Sequence, residues 1–326
     1  INCTVEIAKK LKIFHGLINA FLKNVSKDKE DLKKIDITFD DLPIWFKNKN
    51  SSLKTSEKKL FLKNFNREPS LHIVFKNEEK LKNFEGKLIK TSGVSGFLNN
   101  KKNITKISSF INGDWWVQDF SSFFPLQNLP KISKNKLFLD ACAAPGGKAF
   151  QLLSRNQNLI LNDKNNNRIQ ILKSNLNRLN FNPKIKNQDF IKFNEKEKFD
   201  FIILDVPCSA VGTIRKNPEI FFKNKEPDFD KLNLLQREML IKASNLLNIK
   251  GIILYMACSF LKYETEDQIN HFLNLRKDFE ILKFKMVNKN IEYSKLIQNN
   301  FMLTLPDRVL QYNIDGYFAA YLKKIK

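Results

Sequence analysis

Two thiols stand where strand-like runs end. Asp205-Val206-Pro207-Cys208-Ser209-Ala210 closes the apolar run Phe199–Asp205, and Tyr255-Met256-Ala257-Cys258-Ser259 closes the run Gly251–Ala257. An acid, a proline turn and a thiol at the end of a buried strand are the groups that proton transfer and nucleophilic attack require. Two cysteines at the ends of two strands could converge on one pocket. Cysteine is also a small buried hydrophobe, and for either cysteine alone that reading stays open.

A third chemical motif is Leu139-Asp140-Ala141-Cys142-Ala143-Ala144-Pro145-Gly146-Gly147-Lys148, after a short apolar run and before a helical one. Small residues and two glycines let a backbone approach a ligand closely. The spacing is not the GxGxxG of pyrophosphate binders, so a nucleoside without phosphate fits better than a dinucleotide. Asp163, at the end of the next strand-like run, follows Asp140 by 23 residues. An acid about 20 residues on can accept from a ribose diol, although acids at strand ends also cap helices. Asp189, in Asn187-Gln188-Asp189-Phe190, could bind an adenine amino group or serve as a turn residue.

The elements that must hold these groups follow from periodicity. Beyond Pro130, strands alternate with helices: strands at Leu137–Ala141, Asn158–Asn162, Phe199–Asp205, Gly251–Ala257 and Tyr317–Leu322, and helices at Asn165–Asn180, Asp230–Leu247 and Tyr263–Leu275. Such alternation predicts an α/β fold with a parallel-rich sheet covered on both faces, and ligands then bind at the carboxyl ends of the strands. Residues 31–125 read as a small α+β unit, with a strand at Ser70–Phe75, a loop at Thr91–Phe97 marked by Gly93 and Gly96, and a strand-like aromatic segment at Gly113–Phe120. In residues 1–30, Leu11, Phe14, Leu17, Ile18, Phe21 and Leu22 have the spacing of a helical stripe. The chain opens on Ile1 rather than Met, which suggests a missing start.

Composition narrows the partners. The 56 Lys and Arg against 34 Asp and Glu leave a net charge of +22. The excess is spread over both parts: residues 1–125 carry 23 basic and 14 acidic side chains, the remainder 33 and 20. A polyanion such as nucleic acid is the natural partner, although a genome biased toward Lys and Asn codons would produce a similar drift. Cys3, Cys142, Cys208 and Cys258 form no CxxC pair. With only His15, His72 and His271 beside them, no metal and no disulfide framework are expected, and reduced cytoplasmic thiols are. No run of eighteen apolar residues suggests a membrane helix.

The stretches LDACAAPGGK, LDVPCSAVGTIRKNPEI and YMACSF, with the ending DGYFAAYLKK, resemble the motifs of the Nop/Sun-type RNA cytosine-5 methyltransferases, most of all their bacterial 16S rRNA branch. The likeness is strong over residues 110–326 and fainter over 31–110. FHGLINAFLKNV resembles the last helix of the NusB-like domain that precedes the catalytic part in that branch. The resemblance implies three segments: a helical remnant (1–30), a small α+β RNA-binding domain (31–125) and a Rossmann-like methyltransferase domain (126–326).

It also implies roles. Cys142, Ala143, Ala144, Pro145, Gly146, Gly147 and Lys148, with Asp163, Asp189 and Asp205, would line an S-adenosyl-L-methionine site. Cys258 would be the nucleophile, Cys208 would assist product release and Asp205 would hold or protonate the base. Trp115 and Trp116 could stack bases or fill the core. The chain departs from the family at Ala257, where Thr is usual, which puts local positioning beside the nucleophile in doubt. The partner implied is RNA, 16S rRNA first, acted on by a monomer. The alternatives are a methyltransferase for tRNA or DNA cytosine, the last using the Pro-Cys thiol, and a non-catalytic RNA-binding assembly factor.

Overall fold

The computed structural model describes residues 1–326 except 33, 51, 52, 99–102, 131, 134, 224 and 287–289. The chain divides into two compact units, Ile1–Lys47 and Asn48–Lys326.

The first unit is helical. Where one stripe was expected, the structure has two helices, Asn2–Lys10 and His15–Lys27, broken at Lys12, whose φ is +54°. The apolar spacing is real, but Phe14, Leu17 and Phe21 remain exposed.

The second unit contains two sheets. The smaller is antiparallel, in the order β2-β3-β1-β4, with β1 at His72–Phe75, β2 at Leu88–Lys90, β3 at Ser95–Leu98 and β4 at Trp115–Val117. β3 corrects the expected loop at Thr91–Phe97. Two glycines in seven residues signal a turn, but Gly96 is paired with Ile73 on one side and Lys90 on the other, in a strand buried along its length. Of the two roles left open for the tryptophans, the structure shows core packing for both. Trp115 and Trp116 are both buried; their indole N–H groups donate to Ser109 Oγ (2.9 Å) and Gln118 Oε1 (3.0 Å), and Trp116 meets Phe150 edge to face. Their faces belong to the core.

The larger sheet has a parallel centre of β5 (Leu137–Asp140), β6 (Asn158–Asn162), β7 (Lys184–Lys186), β8 (Phe199–Asp205) and β9 (Leu247–Ala257). Antiparallel strands extend it: β10 (Phe279–Leu282), β11 (Ile297–Gln298), β12 (Phe301–Thr304) and β15 (Tyr317–Lys324), while β13 (Asp307–Val309) and β14 (Tyr312–Ile314) pair separately. The order is β11-β12-β15-β9-β8-β5-β6-β7, with β10 beside β15. The central strands are apolar on both faces because helices cover both. The helix Asn166–Arg178 buries Ile169, Leu172 and Leu176 and is started by Asn165, whose side chain accepts from Arg168 N. The helix Phe229–Leu246 buries Met239, Leu240 and Ala243 and is started in the same way by Asp228.

The chain runs outward from β5 through β6 to β7, then returns to β8 on the other side of β5. The crevice at that reversal is where an open α/β sheet binds ligands. The small sheet is strapped to this architecture: Gln118 Nε2 donates to Gln151 Oε1 (3.0 Å), Lys76 Nζ to the Leu179 carbonyl (2.7 Å) and Ser121 Oγ to the Asp315 carbonyl (2.7 Å).

His72 tests this packing. It is fully buried among Phe97, Phe120 and Phe123, with Nδ1 at 2.8 Å from the Gln118 carbonyl and Nε2 at 3.0 Å from Thr91 Oγ1. Burial lowers its pKa from 6.5 to about 4. The unfolded chain therefore takes up a proton that the folded chain refuses, and stability falls as pH drops through that window. The shift is equivalent to about 3 kcal/mol. Urea denaturation at pH 7 and 4.5 should show His72→Phe less stable than the parent at pH 7 but lacking this part of the acid slope. An equal slope in both would exclude His72 as its source.

Candidate active site

Each chemical motif leaves the carboxyl end of a parallel strand, and the strand order brings those ends together. Ala141 and Cys142 follow β5, Asp163 follows β6, Asp205 ends β8 and Cys258 follows β9. A cleft of about 270 Å³ opens there, walled by Cys142, Asp163, Asp189, Asp205, Cys208 and Cys258 with Lys164 and Arg168. Phe190, from the turn after Asp189, and Leu235 and Met239, from the helix Phe229–Leu246, supply an apolar side.

The remainder of the Gly-Gly motif stands outside that wall. Ala143, Ala144 and Gly146 are buried, and Pro145 is exposed. Gly146 turns the chain at φ +121°, against Phe150 and Leu172. Gly147 begins the helix Gly147–Leu153, which carries Lys148. Asp163 secures this loop: its Oδ2 accepts from Ala144 N (3.1 Å) and its Oδ1 from Asn165 N (2.9 Å). Arg168 completes the clasp through the Ala144 carbonyl. Asp189 is exposed, with Oδ1 accepting from Ile191 N (3.0 Å).

The group around the two thiols is tighter. Cys208 Sγ and Cys258 Sγ are 3.3 Å apart. The Asp205 carboxylate is held at both oxygens: Lys148 Nζ lies 2.6 Å from Oδ2, and the Tyr317 hydroxyl donates to Oδ1 (2.9 Å). Burial opposes the Lys148 charge, but Asp205 outweighs it and the ammonium pKa is raised; Asp140 and Cys258 add to that pull. Lys148 is therefore a firm cation beside the second thiol. Cys208 is pushed well above the ordinary thiol range, first by its contact with Cys258 and then by burial. Burial and the charges of Asp140, Asp205 and Asp163 push Cys142 up, so that thiol stays protonated. Burial and Asp205 raise Asp140 to about 7 against the opposing charge of Lys148.

The structure thus brings Cys142, Asp163, Asp189, Asp205, Cys208 and Cys258 around one cleft, with Lys148 beneath it on Asp205. Two contributors escaped the sequence reading. Tyr317 opens β15, far along the chain, and only the fold aims its hydroxyl at Asp205. Asn162 bridges three strand ends: its amide donates to the Ala141 and Gln188 carbonyls (3.1 Å each), and its oxygen accepts from Gln188 N. Nothing in the local sequence marks it.

The family model for 16S rRNA methyltransferase RsmB/F matches residues 128–323. The chain belongs to this family. Its motif resemblance to Nop/Sun-type enzymes agrees with two relatives. Ribosomal RNA small subunit methyltransferase B of Shewanella oneidensis is 33% identical over 230 residues, covering 68% of this chain and 51% of that protein. The 25S rRNA (cytosine-C(5))-methyltransferase nop2 of Schizosaccharomyces pombe is 33% identical over 230 residues, covering 66% of this chain and 38% of that protein. The chain thus spans about half the length of the first and less of the second. The crystal structure of a methyltransferase homolog protein from Pyrococcus horikoshii superposes with a TM-score of 0.69 at 24% identity, over 86% of this chain and 94% of that one. The fold is the Rossmann-like methyltransferase fold.

One backbone crossing in this RsmB/F member ties the second thiol to β15. Gly212 N donates to the Cys258 carbonyl (3.0 Å), and Gly316 N donates to the Gly212 carbonyl (2.8 Å), one residue before Tyr317. A Cβ on Gly212 would overlap the Gly316 carbonyl. Gly212→Ala should therefore destabilise by about 1–3 kcal/mol in urea titration. Gly16→Ala, where a Cβ meets nothing within 4 Å, should do no harm. Equal midpoints for the two variants would show that the crossing carries no constraint.

Proposed function

We propose that this chain methylates carbon 5 of a cytosine in RNA, with S-adenosyl-L-methionine as methyl donor and Cys258 as the attacking thiol. The observation that carries the reading is the pair of sulfurs 3.3 Å apart at the edge of the cleft beside Asp205.

The cleft suits the donor. Asp163, Asp189 and Asp205 face it beside Lys164 and Arg168, a mixture of acceptors and cations that suits a zwitterionic nucleoside without phosphate. Asp163 and Asp189 are placed to take the polar groups of a nucleoside, with Phe190, Leu235 and Met239 against its apolar parts. Cys142 offers a small neutral contact. When bound, S-adenosyl-L-methionine supplies the electrophilic methyl group that carbon 5 accepts.

The chain's own groups do the rest. Carbon 5 of cytosine is a poor nucleophile until a thiolate adds to carbon 6. Against burial, Asp205 keeps Lys148 a cation, which puts positive charge beside the attacking thiol. Asp205, pinned by Lys148 and Tyr317, is placed to accept from the exocyclic amino group of the base, and a proton lent to the ring nitrogen by solvent and returned on elimination balances the charge that develops there. Two negative charges 3.3 Å apart repel strongly, so while Cys258 is ionised Cys208 keeps its proton. Once Cys258 is bonded to carbon 6 its charge is gone, so Cys208 can release its proton to solvent in the open cleft and, as thiolate, accept the carbon 5 proton. That loss restores the 5,6 double bond and expels the Cys258 thiolate. The base must leave its stack to reach the cleft, and a net charge of +22 favours a phosphate backbone as the surrounding partner.

The family and its relatives support RNA, and small-subunit rRNA before other RNAs, as substrate. Free thiols at all four cysteines suit a reducing compartment such as the cytoplasm. Incubation with 16S rRNA fragments and labelled donor should give methylated RNA with the parent protein and none with Cys258→Ala. Cys208→Ala should leave an RNA–protein adduct that survives denaturing electrophoresis. Full activity in Cys258→Ala would remove that thiol from the mechanism, and label entering only DNA would overturn the RNA assignment. Bisulfite sequencing of rRNA with and without the protein would identify the cytosine.

A further inference from the structure

Fifty residues of chain separate the two thiols, and their strands end before either sulfur is reached. Spacing between them is set from behind the cleft. Glu264 is completely buried there, in the short turn Lys262–Glu264 that follows Cys258. Its Oε1 accepts from Ser209 N (2.7 Å), and its Oε2 accepts from Ser209 Oγ and Ser259 Oγ (2.6 Å each). Ser209 directly follows Cys208, and Ser259 directly follows Cys258.

The surrounding bonds reinforce that bridge. Leu261 N donates to Ser259 Oγ (3.2 Å), which leaves the hydroxyl proton for Glu264. The Tyr255 hydroxyl lies 2.8 Å from the Glu264 carbonyl and 3.3 Å from Gln236 Oε1, and Gln236 Nε2 donates to the Pro207 carbonyl (2.9 Å). Both neighbours of Cys208 are therefore anchored to the network that holds Ser259.

A buried carboxylate is costly when an apolar residue would fill the same space. Among the described residues no Lys or Arg forms an ion pair with Glu264, and burial raises its pKa despite the serine bonds. Its three accepted bonds converge on the two catalytic loops.

We propose that Glu264 is a positioning residue whose carboxylate sets the distance between the Cys208 and Cys258 sulfurs by binding the residue after each. The proposal rests on the assignment of the two thiols above. It adds that product release, which needs both sulfurs at one carbon–carbon bond, depends on this clamp more than adduct formation, which needs one.

The test uses the full chain in four forms: parent, Glu264→Gln, Glu264→Ala and Ser259→Ala. The glutamine can keep the clamp, because its carbonyl accepts from Ser209 N while its amide donates to serine oxygens, which accept as well as donate. First, without RNA, the thiol-oxidising agent diamide is added and the Cys208–Cys258 cross-link is timed by peptide mass spectrometry. Parent and Glu264→Gln should cross-link at similar rates and Glu264→Ala about tenfold more slowly. Ser259→Ala should fall between them. Second, with RNA and donor, Glu264→Ala should accumulate the denaturant-stable adduct relative to released methylated RNA, whereas a merely unstable protein would lose both together. Should Glu264→Ala fail to fold, Ser259→Ala, which removes a single hydroxyl, carries both measurements. Parent-rate cross-linking in Glu264→Ala, or in Ser259→Ala if it stands in, would overturn the proposal, as would adduct and product falling in equal proportion. If the parent cross-links as expected but methylates no RNA, the functional reading fails while the clamp stands.

Discussion

The parallel pairing of β8 with β9 is the constraint on which the site depends. Asp205 lies opposite Met256 in that register, and Val206 N continues the ladder to the Met256 carbonyl. Two chain segments are thereby delivered to one edge in phase, and the loops that follow need only short excursions to bring Cys208 and Cys258 into contact. A one-residue slip would reverse every side chain on β9 between the two faces. Burial on both faces of β8 makes such a slip costly.

Charge in the cleft is arranged around one cation. Lys148 lies among Asp140, Asp205 and Cys258, and each of them raises its hold on its proton. Burial, with Asp205 adding to it, pushes Asp140 up to about 7 against the opposing charge of Lys148. Cys208 is pushed well above the ordinary thiol range by its contact with Cys258 and by burial.

Much of this was legible in the order of residues. Continuous apolar runs at Phe199–Asp205 and Gly251–Ala257 announce strands buried on both faces, because only a covered parallel sheet makes both faces apolar. The same runs place Asp205 and Cys258 at strand ends. Other elements were not legible. Ser95–Leu98 reads as a turn because two glycines outweigh its short pattern, yet it is an inner strand of the small sheet. The strands β10 to β14 are two to four residues each, too short for periodicity to register. The apolar stripe of the first unit suggested one helix, and its break at Lys12 follows from a single positive φ.

Local order thus marked the candidate residues and the strand ends they occupy, because period and composition act over a few neighbours. Distances between groups remote in sequence were settled by tertiary structure alone. Tyr317 reaches Asp205 across 112 positions, and Glu264 meets Ser209 across 55. No local pattern encodes such a meeting. It exists because antiparallel β15 and parallel β8 flank β9 in one sheet, and strand order is a property of the whole folded chain.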